Sequence, residues 1–246
     1  MTNLSIGGEK FGTFYGVGVG PGDPELMTVK AQRILRQVPV LCVPKSREEG
    51  GSYALGIISH LMEPNRQRLM ELVFPMTKDR AKLEEYWDKG LDQLLVPLRA
   101  GEDVAFVTEG DPSIYSTFLH MFALMRERHP EIPVEVVPGV SSINASAAAA
   151  GMPLVDGAER LAILPATYEG NQLVDVLERF DTVVLLKVHR VMDRVLDVLE
   201  KLEMVDRAVY VSRCGSPEQR VVTDVASLRG QDLEYLSLMI VRRRRG

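Results

Sequence analysis

The sequence predicts an α/β protein of two domains, and three observations carry that expectation. Short apolar runs alternate with amphipathic helical stretches through the first half of the chain. Three of those runs end in polar, Gly/Pro-rich loops, "GPGDPEL", "TEGDPSIYST" and "PGVSSINA". The closing apolar runs of the second half follow one another with little between them, which predicts a mixed sheet with antiparallel pairs.

Taken in order, "FGTFYGVGVG" reads as a first strand, alternating and aromatic. "GDPELMTVKAQRILRQV" follows as a helix, with Leu26, Val29, Ile34 and Leu35 on its apolar face. Asp23 reads as its cap and Pro24 as its first residue. "PVLCVP" is a short buried strand, "KSREEGGS" a polar loop and "YALGIISHLM" a helix. "RLMELVFPM" is a strand, and "DRAKLEEYWDKGLDQLLVPLRAG" a long amphipathic helix ended by Gly101. "DVAFVTEGDPSIYSTF" runs from strand into turn, "FLHMFALMRERH" is helical, and "VEVVPGVSSINASAAAAGMPL" gives a strand, a turn and an alanine-rich helix. In the second half "LAILPAT", "TVVLLKV", "AVYVSRCG", "QRVVTDV" and "YLSLMIV" are strands, with "NQLVDVLERF" and "VMDRVLDVLEKLE" as helices. The boundary is placed near Pro138, giving residues 1–138 a mostly parallel sheet and residues 139–246 a mixed one. The terminal "RRRRG" reads as a solvated basic tail.

At 246 residues, with 46% hydrophobic and 26% charged residues, the chain has the composition of a soluble globular protein. Its net charge of −5 argues against a nucleic-acid binder, which needs a basic face. Cys42 and Cys214 lie far apart with no metal-ligand spacing, so neither a disulfide framework nor a protein-bound metal is expected. The opening "MTNLSIGGEKFG" lacks the pattern of a signal peptide, and no run reaches membrane-spanning length. A cytoplasmic protein with no membrane partner is the expectation.

The glycine run "GVGVGPGDPEL" asks whether the first turn holds a dinucleotide. Gly16, Gly18, Gly20 and Gly22 lie two apart, Pro21 stiffens the turn, and the second strand, "VLCVPKS", ends without the acid that would hold a ribose. The lysine of a P-loop is also missing, since Asp23 follows Gly22. A nicotinamide-dependent oxidoreductase is therefore the lesser alternative. Asp111, Ser116, Thr117, Ser141 and Ser142 supply small polar groups at the loops without a cluster of cations, which suits a cofactor with little phosphate. In open α/β sheets ligands bind outside the carboxyl ends of the strands, so loops sharing one sheet edge form the expected pocket.

The motifs "GVGPGDPELMTVKA", "TEGDPSIYST" and "VPGVSSINASAAAAGMPL", followed by "VVLLKV" and "CGSPEQRVV", resemble the tetrapyrrole methylases. The resemblance runs from about Phe14 to Val241. It implies two α/β domains of the class III S-adenosylmethionine methyltransferase type, with the cofactor in the cleft between them, and a homodimer. "LCVPKS", "FPMTKD", "TEGDPSIYSTF" and "VVLLKVHR" resemble the branch that methylates carbon 20 of precorrin-2, or of its cobalt-bearing counterpart cobalt-factor II, in cobalamin biosynthesis. Methylation of another ring carbon of a precorrin is the alternative within the family.

By motif, the resemblance implies S-adenosylmethionine contacts at Pro21, Gly110, Asp111, Ile114, Ser141, Ser142, Lys187, Cys214 and Gly215. Lys187 stands where some relatives carry an apolar residue, and "SRCGSPEQRV" aligns with the family turn only to within one or two positions. The tetrapyrrole carries many carboxylates, which arginine and lysine suit. Lys45, Arg47, Arg190 and Arg213, next to strand ends, are the substrate-binding candidates, with Tyr115 able to pack on the macrocycle or on the core. The loop 45–52, loosened by Gly50-Gly51, reads as a lid. No residue is assigned as catalytic. Asp111 is weighed as a base and read first as a cap or cofactor contact, and His189 as surface or structural.

Overall fold

The parallel strand order of the first half follows from which apolar runs are buried on both faces. In the computed structural model, which describes residues 10–47, 49–77, 79–166 and 170–243, the chain divides into two units, Met1–Ser141 and Ser142–Gly246. The division falls in the loop after the fifth strand. The first unit runs β1 (Phe14–Gly18), α1 (Val29–Gln37), β2 (Val40–Lys45), α2 (Tyr53–Ile58), β3 (Arg68–Val73), α3 (Arg80–Arg99), β4 (Val104–Thr108), α4 (Phe118–Arg128) and β5 (Val134–Val137). Its sheet has the order β3-β2-β4-β1-β5, every pair parallel.

β4 lies at the centre, and all five of its residues are buried. Its side chains alternate between two cores. Ala105 and Val107 join Val17, Leu41 and Val43 beneath α1 and α2, through Ala31, Ile34, Leu35, Ile57 and Ile58. Val104 and Phe106 join Phe14, Val40 and Cys42 beneath α3 and α4, through Leu91, Leu94, Leu98, Phe118, Met121 and Met125. A continuous apolar run is what a parallel strand covered on both faces requires. Each fully buried Leu, Val or Phe here stabilises the fold by about 1.5–3 kcal/mol relative to exposure.

The helix expected from Asp23 starts later. Asp23 does cap a helical turn, its Oδ1 accepting from the Glu25 amide at 2.8 Å, and Pro24 does open it. That turn is a 3-10 turn of Pro24–Leu26 only. The chain then extends through Met27 and Thr28, and α1 begins at Val29 with Thr28 Oγ1 accepting from the Ala31 amide at 3.2 Å. The interruption rotates Val29 off the core face, where it is 84% exposed. The closing end of α1 is sealed by the buried Gln67, whose Nε2 donates to the Leu35 and Val38 carbonyls at 2.6 and 2.8 Å.

The second unit runs α5 (Ser142–Ala149), β6 (Leu161–Pro165), α6 (Gly170–Arg179), β7 (Thr182–Leu186), α7 (Met192–Lys201), β8 (Ala208–Ser212), β9 (Arg220–Val222) and β10 (Ser237–Arg242). The sheet order is β6-β7-β10-β8-β9; β6 and β7 are parallel and the other pairs antiparallel. Its core packs Val183, Leu185, Tyr210, Met239 and Val241 against Leu173 and Leu177 of α6 and Val195, Leu196 and Leu199 of α7.

The basic tail needs correcting at its first two positions. Arg242 is buried as the last residue of β10, where Nη1 donates to the Pro153 carbonyl and Nη2 to Glu159, both at 2.9 Å. Arg243 donates from Nη2 to Asp181 at 3.3 Å. The four-arginine run hid this, because only a β-strand register separates a structural arginine from a solvated one. Residues 244–246 lie outside the described residues, as do residues 1–9, Lys78 and Thr167. Among the described residues no helix is long and apolar enough to cross a membrane.

Candidate functional site

Strand order decides what the sequence left open about the loops. β4, β1 and β5 are neighbours, all parallel, so the loops 19–28, 109–117 and 138–141 leave one sheet edge side by side. This is the edge at which open α/β sheets bind ligands.

Backbone and carboxylate bonds stitch these loops together. Gly20 and Gly110 form an antiparallel bridge, the Gly110 amide donating to the Gly20 carbonyl at 2.8 Å and the reverse bond at 3.3 Å. Asp111 spans the other gap. Its Oδ2 accepts from the Gly139 amide at 3.0 Å, and its Oδ1 accepts from the Ser113 amide at 2.8 Å and from the Ser113 hydroxyl. Burial alone would raise the Asp111 carboxyl, but the bonds from Ser113 and Gly139 outweigh it and hold it below the usual aspartate value. The approach is close enough to need glycine: a Cβ on Gly139 would lie 2.2 Å from the Gly110 carbonyl oxygen, and one on Gly18 would lie 2.6 Å from it. Beneath, Thr108 and Ser116 share a buried hydrogen bond of 2.9 Å, and Ser116 Oγ accepts from the Phe118 amide at 3.1 Å to open α4.

Pro21, Gly110, Asp111 and Ile114 are thus brought together on adjoining loops, and Ser141 follows Gly139 on the third. Ser116 is turned inward and bonded to the sheet. Tyr115 is 51% exposed on a left-handed backbone, φ 49°. The sequence reading passed over Glu109, at the carboxyl end of the central strand. Its side chain is exposed, and no described residue hydrogen-bonds to it. Protein crowding around this accessible carboxyl, with no compensating bond, pushes its pKa up to about 7. The loops carry Asp23, Glu25, Glu109 and Asp111 and no Lys, Arg or His.

Of the substrate candidates in this unit, Lys45 ends β2 with its ammonium 3.2 Å from Glu71 on β3, and Arg47 is exposed beyond it.

In the second unit, β7 and β8 flank β10, so Lys187 and Arg213 leave the sheet on either side of its first residues. The Lys187 amide donates to the Ser237 carbonyl at 3.1 Å and the Arg213 amide to the Leu236 carbonyl at 2.9 Å. Both residues are left-handed, φ 60° and 46°. With Tyr115 and Glu203 they complete the positive-φ residues other than glycine among those described, and Lys187 and Arg213 each stand directly after a strand end. Such strain concentrates at functional sites. Arg213 Nε sits 3.2 Å from Glu234. Arg190 is exposed and lines a cavity with His189, Arg194 and Gln231. His189 meets Tyr235 edge-on at 5.2 Å; burial and then Arg190 lower its pKa. Cys214 is buried beside the partly exposed Gly215, and burial raises its thiol. Ser142 opens α5. Among the described residues no group of His, Cys, Asp and Glu is placed to hold a metal ion.

Parallel-strand loops that share one sheet edge and are closed by their own backbone define an open α/β protein with a candidate ligand site at its strand ends. The comparisons with known proteins make the class specific. The family model described as tetrapyrrole (corrin/porphyrin) methylases matches residues 13–228, and the chain belongs to this family. It is 37% identical over 235 residues to a probable cobalt-precorrin-2 C(20)-methyltransferase of Methanocaldococcus jannaschii, covering 93% of this chain and 95% of the relative. It is 31% identical over 245 residues to a precorrin-2 C(20)-methyltransferase of Sinorhizobium, covering 96% and 97%. The structure of uroporphyrin-III C-methyltransferase from Thermus thermophilus complexed with S-adenosyl homocysteine is similar with a TM-score of 0.66 at 27% identity, covering 94% of this chain and 98% of that one.

Proposed function

We propose that this chain transfers a methyl group from S-adenosylmethionine to carbon 20 of a precorrin-2-type tetrapyrrole, metal-free or cobalt-bearing, in cobalamin biosynthesis. Support comes from the relatives just described and from one observation on this chain's own residues. The loops after β1, β4 and β5 carry four acids and no Lys, Arg or His. A cationic sulfonium suits that field, whereas the pyrophosphate of a nicotinamide dinucleotide would be repelled by it. The small hydroxyls and turn amides match the remainder of a nucleoside-bearing donor.

The residues we assign to the donor are Pro21, Gly110, Asp111, Ile114, Ser141, Ser142, Lys187, Cys214 and Gly215. Bound, the donor supplies an electrophilic methyl carbon. What the chain supplies is position: holding two reactants in line contributes on the order of 7–11 kcal/mol. The stitched loops suit this role, because their bonds fix the site before any ligand arrives. Lys45, Arg47, Arg190 and Arg213 are assigned to the carboxylates of the tetrapyrrole and Tyr115 to its face. The working form is a cytoplasmic homodimer, which light scattering at assay concentration tests.

The deciding experiment is an anaerobic mass-spectrometric assay with S-adenosylmethionine and, in parallel, precorrin-2 and cobalt-factor II. Gain of one methyl in either tube, located at carbon 20 by NMR, is expected. The tube that reacts identifies the substrate. A methyl located at another ring carbon, or none in either tube from protein that binds the donor, overturns the assignment.

A further inference from the structure

We propose that Glu109 is the base that removes the proton from the methylated ring carbon. The inference rests on the methyl-transfer reading above.

Methylation at a meso carbon leaves a proton to be disposed of. The substrate carbon gains the methyl group, whose bond to sulfur breaks with the electron pair left on sulfur. The ring then carries the positive charge. The C–H bond at the same carbon breaks, its electron pair returns to the ring conjugation, and an O–H bond forms on the accepting base.

The loops offer four carboxylates, and their bonds separate them. Asp111 has both oxygens engaged by the Gly139 and Ser113 amides and by the Ser113 hydroxyl. Asp23 caps the 3-10 turn through the Glu25 amide. Glu25 stands on the outer side of that turn, exposed. Glu109 alone combines a strand-end position with freedom from any bond to a described residue. Its placement follows from register. Gly20 pairs with Gly110 in an isolated antiparallel bridge, so Glu109, the neighbour of Gly110, stands where the loop carrying Pro21 meets the loop carrying Asp111, both residues assigned to the donor.

Environment agrees with placement. Two carboxylates two residues apart are pushed in opposite directions, Asp111 down by its bonds and Glu109 up to about 7 by its surroundings. Paired acids with separated pKa values are the pattern by which one site keeps a structural anion and a working base. Desolvation by the protein crowded around it is the only influence resolved on Glu109. The other titratable groups on these loops are Asp23, Glu25, Asp111 and Tyr115; beyond them, His120 of α4 stacks on Trp87 at 4.1 Å and Lys45 of β2 is held by Glu71. The carboxyl is reachable by water, so the proton can leave after each turnover.

The test compares wild type, Glu109→Gln and Glu109→Asp in anaerobic turnover with substrate protonated or deuterated at the meso carbon. Wild type is expected to show a rate that rises with pH through a midpoint near 7. Glu109→Gln is expected to lose about 10²–10⁴-fold in turnover, with donor affinity by calorimetry falling far less. Its residual rate should lose that pH dependence and show a primary deuterium isotope effect larger than that of wild type. Glu109→Asp, which keeps the carboxylate, should retain part of the rate and the pH dependence; it also carries the test should the Gln variant misfold. Wild-type rate and pH profile in Glu109→Gln, or donor affinity falling as far as turnover, overturns the proposal. Wild type that methylates nothing overturns the methyl-transfer reading instead.

Discussion

Asp111 does its work as a clamp, and its chemistry sets a pH limit. The carboxyl is held below the usual aspartate value, so its stabilising contribution is complete above about pH 4. That contribution is lost as the pH falls through the folded value. Asp111→Asn keeps the shape but weakens acceptors serving Gly139 and Ser113. Hydrogen bonds to a charged group contribute about 1.5–3 kcal/mol each, so urea denaturation at pH 7 should show a loss of that order, shrinking as the pH is lowered toward 3. A loss independent of pH would refute the clamp. Lys187 makes the opposite case, a residue whose backbone works against stability. A left-handed lysine costs roughly 1–2 kcal/mol, part of which glycine recovers. Lys187→Gly should therefore raise the melting temperature by a few degrees while weakening methyl transfer. A variant that loses stability would show that no strain is stored there. The motif residues of the loops were legible in the sequence because Gly, Pro and Asp announce turns wherever they cluster. The unbonded state of Glu109 was not, since it depends on what fails to lie nearby.

Elements were read well where their pattern was local and poorly where a neighbour decided. Burial on both faces shows in β4 as five consecutive apolar or small residues, and α3 ends close to the glycine that announces its end. The start of α1 was misjudged because Asp23-Pro24 is a true helix opener that leads only to a 3-10 turn. Nothing in those residues reveals that the chain re-extends at Thr28. The end of β10 was misjudged because Arg242 finds its partners, Pro153 and Glu159, at a distance of more than eighty residues. Arg242→Ala leaves Glu159 without its buried partner and should cost on the order of 3 kcal/mol. The loss should appear in thermal denaturation and in faster hydrogen exchange of β10 and the loop 153–159. Glu159→Gln, which can still accept a hydrogen bond, should cost less. Equal stability of Arg242→Ala and wild type would return the residue to the solvated tail.

The charge of the molecule is distributed with consequence. A net charge of −5 says little by itself, but among the charged residues of the loops after β1, β4 and β5 there are acids only. Attraction between that edge and a sulfonium is screened at separations beyond about 8–10 Å at 0.1–0.15 M salt. Affinity for S-adenosylmethionine should therefore fall as ionic strength rises, more steeply than affinity for S-adenosylhomocysteine, whose sulfur is neutral. Calorimetric titrations of both at several salt concentrations test this, and identical salt slopes would remove the charge argument. The substrate side carries the complementary sign. Replacing Arg47 and Arg190 together by Ala should raise the KM for the tetrapyrrole several-fold while leaving donor affinity intact, and equal loss of both would contradict their assignment.

The place of β10 between β7 and β8 governs how the second unit comes into being. The strand at the middle of that sheet is the last of its strands to be synthesised. Until residues 237–242 leave the ribosome, β7 and β8 each present an unpaired inner edge, the kind of edge that recruits foreign strands. The first unit has no such wait, since all its strands precede residue 138. Nascent chains arrested before Ser237 should then show a protease-resistant first half and a digestible second half. Termination before Ser237 would leave sticky half-sheets in the second unit rather than a slightly shortened enzyme.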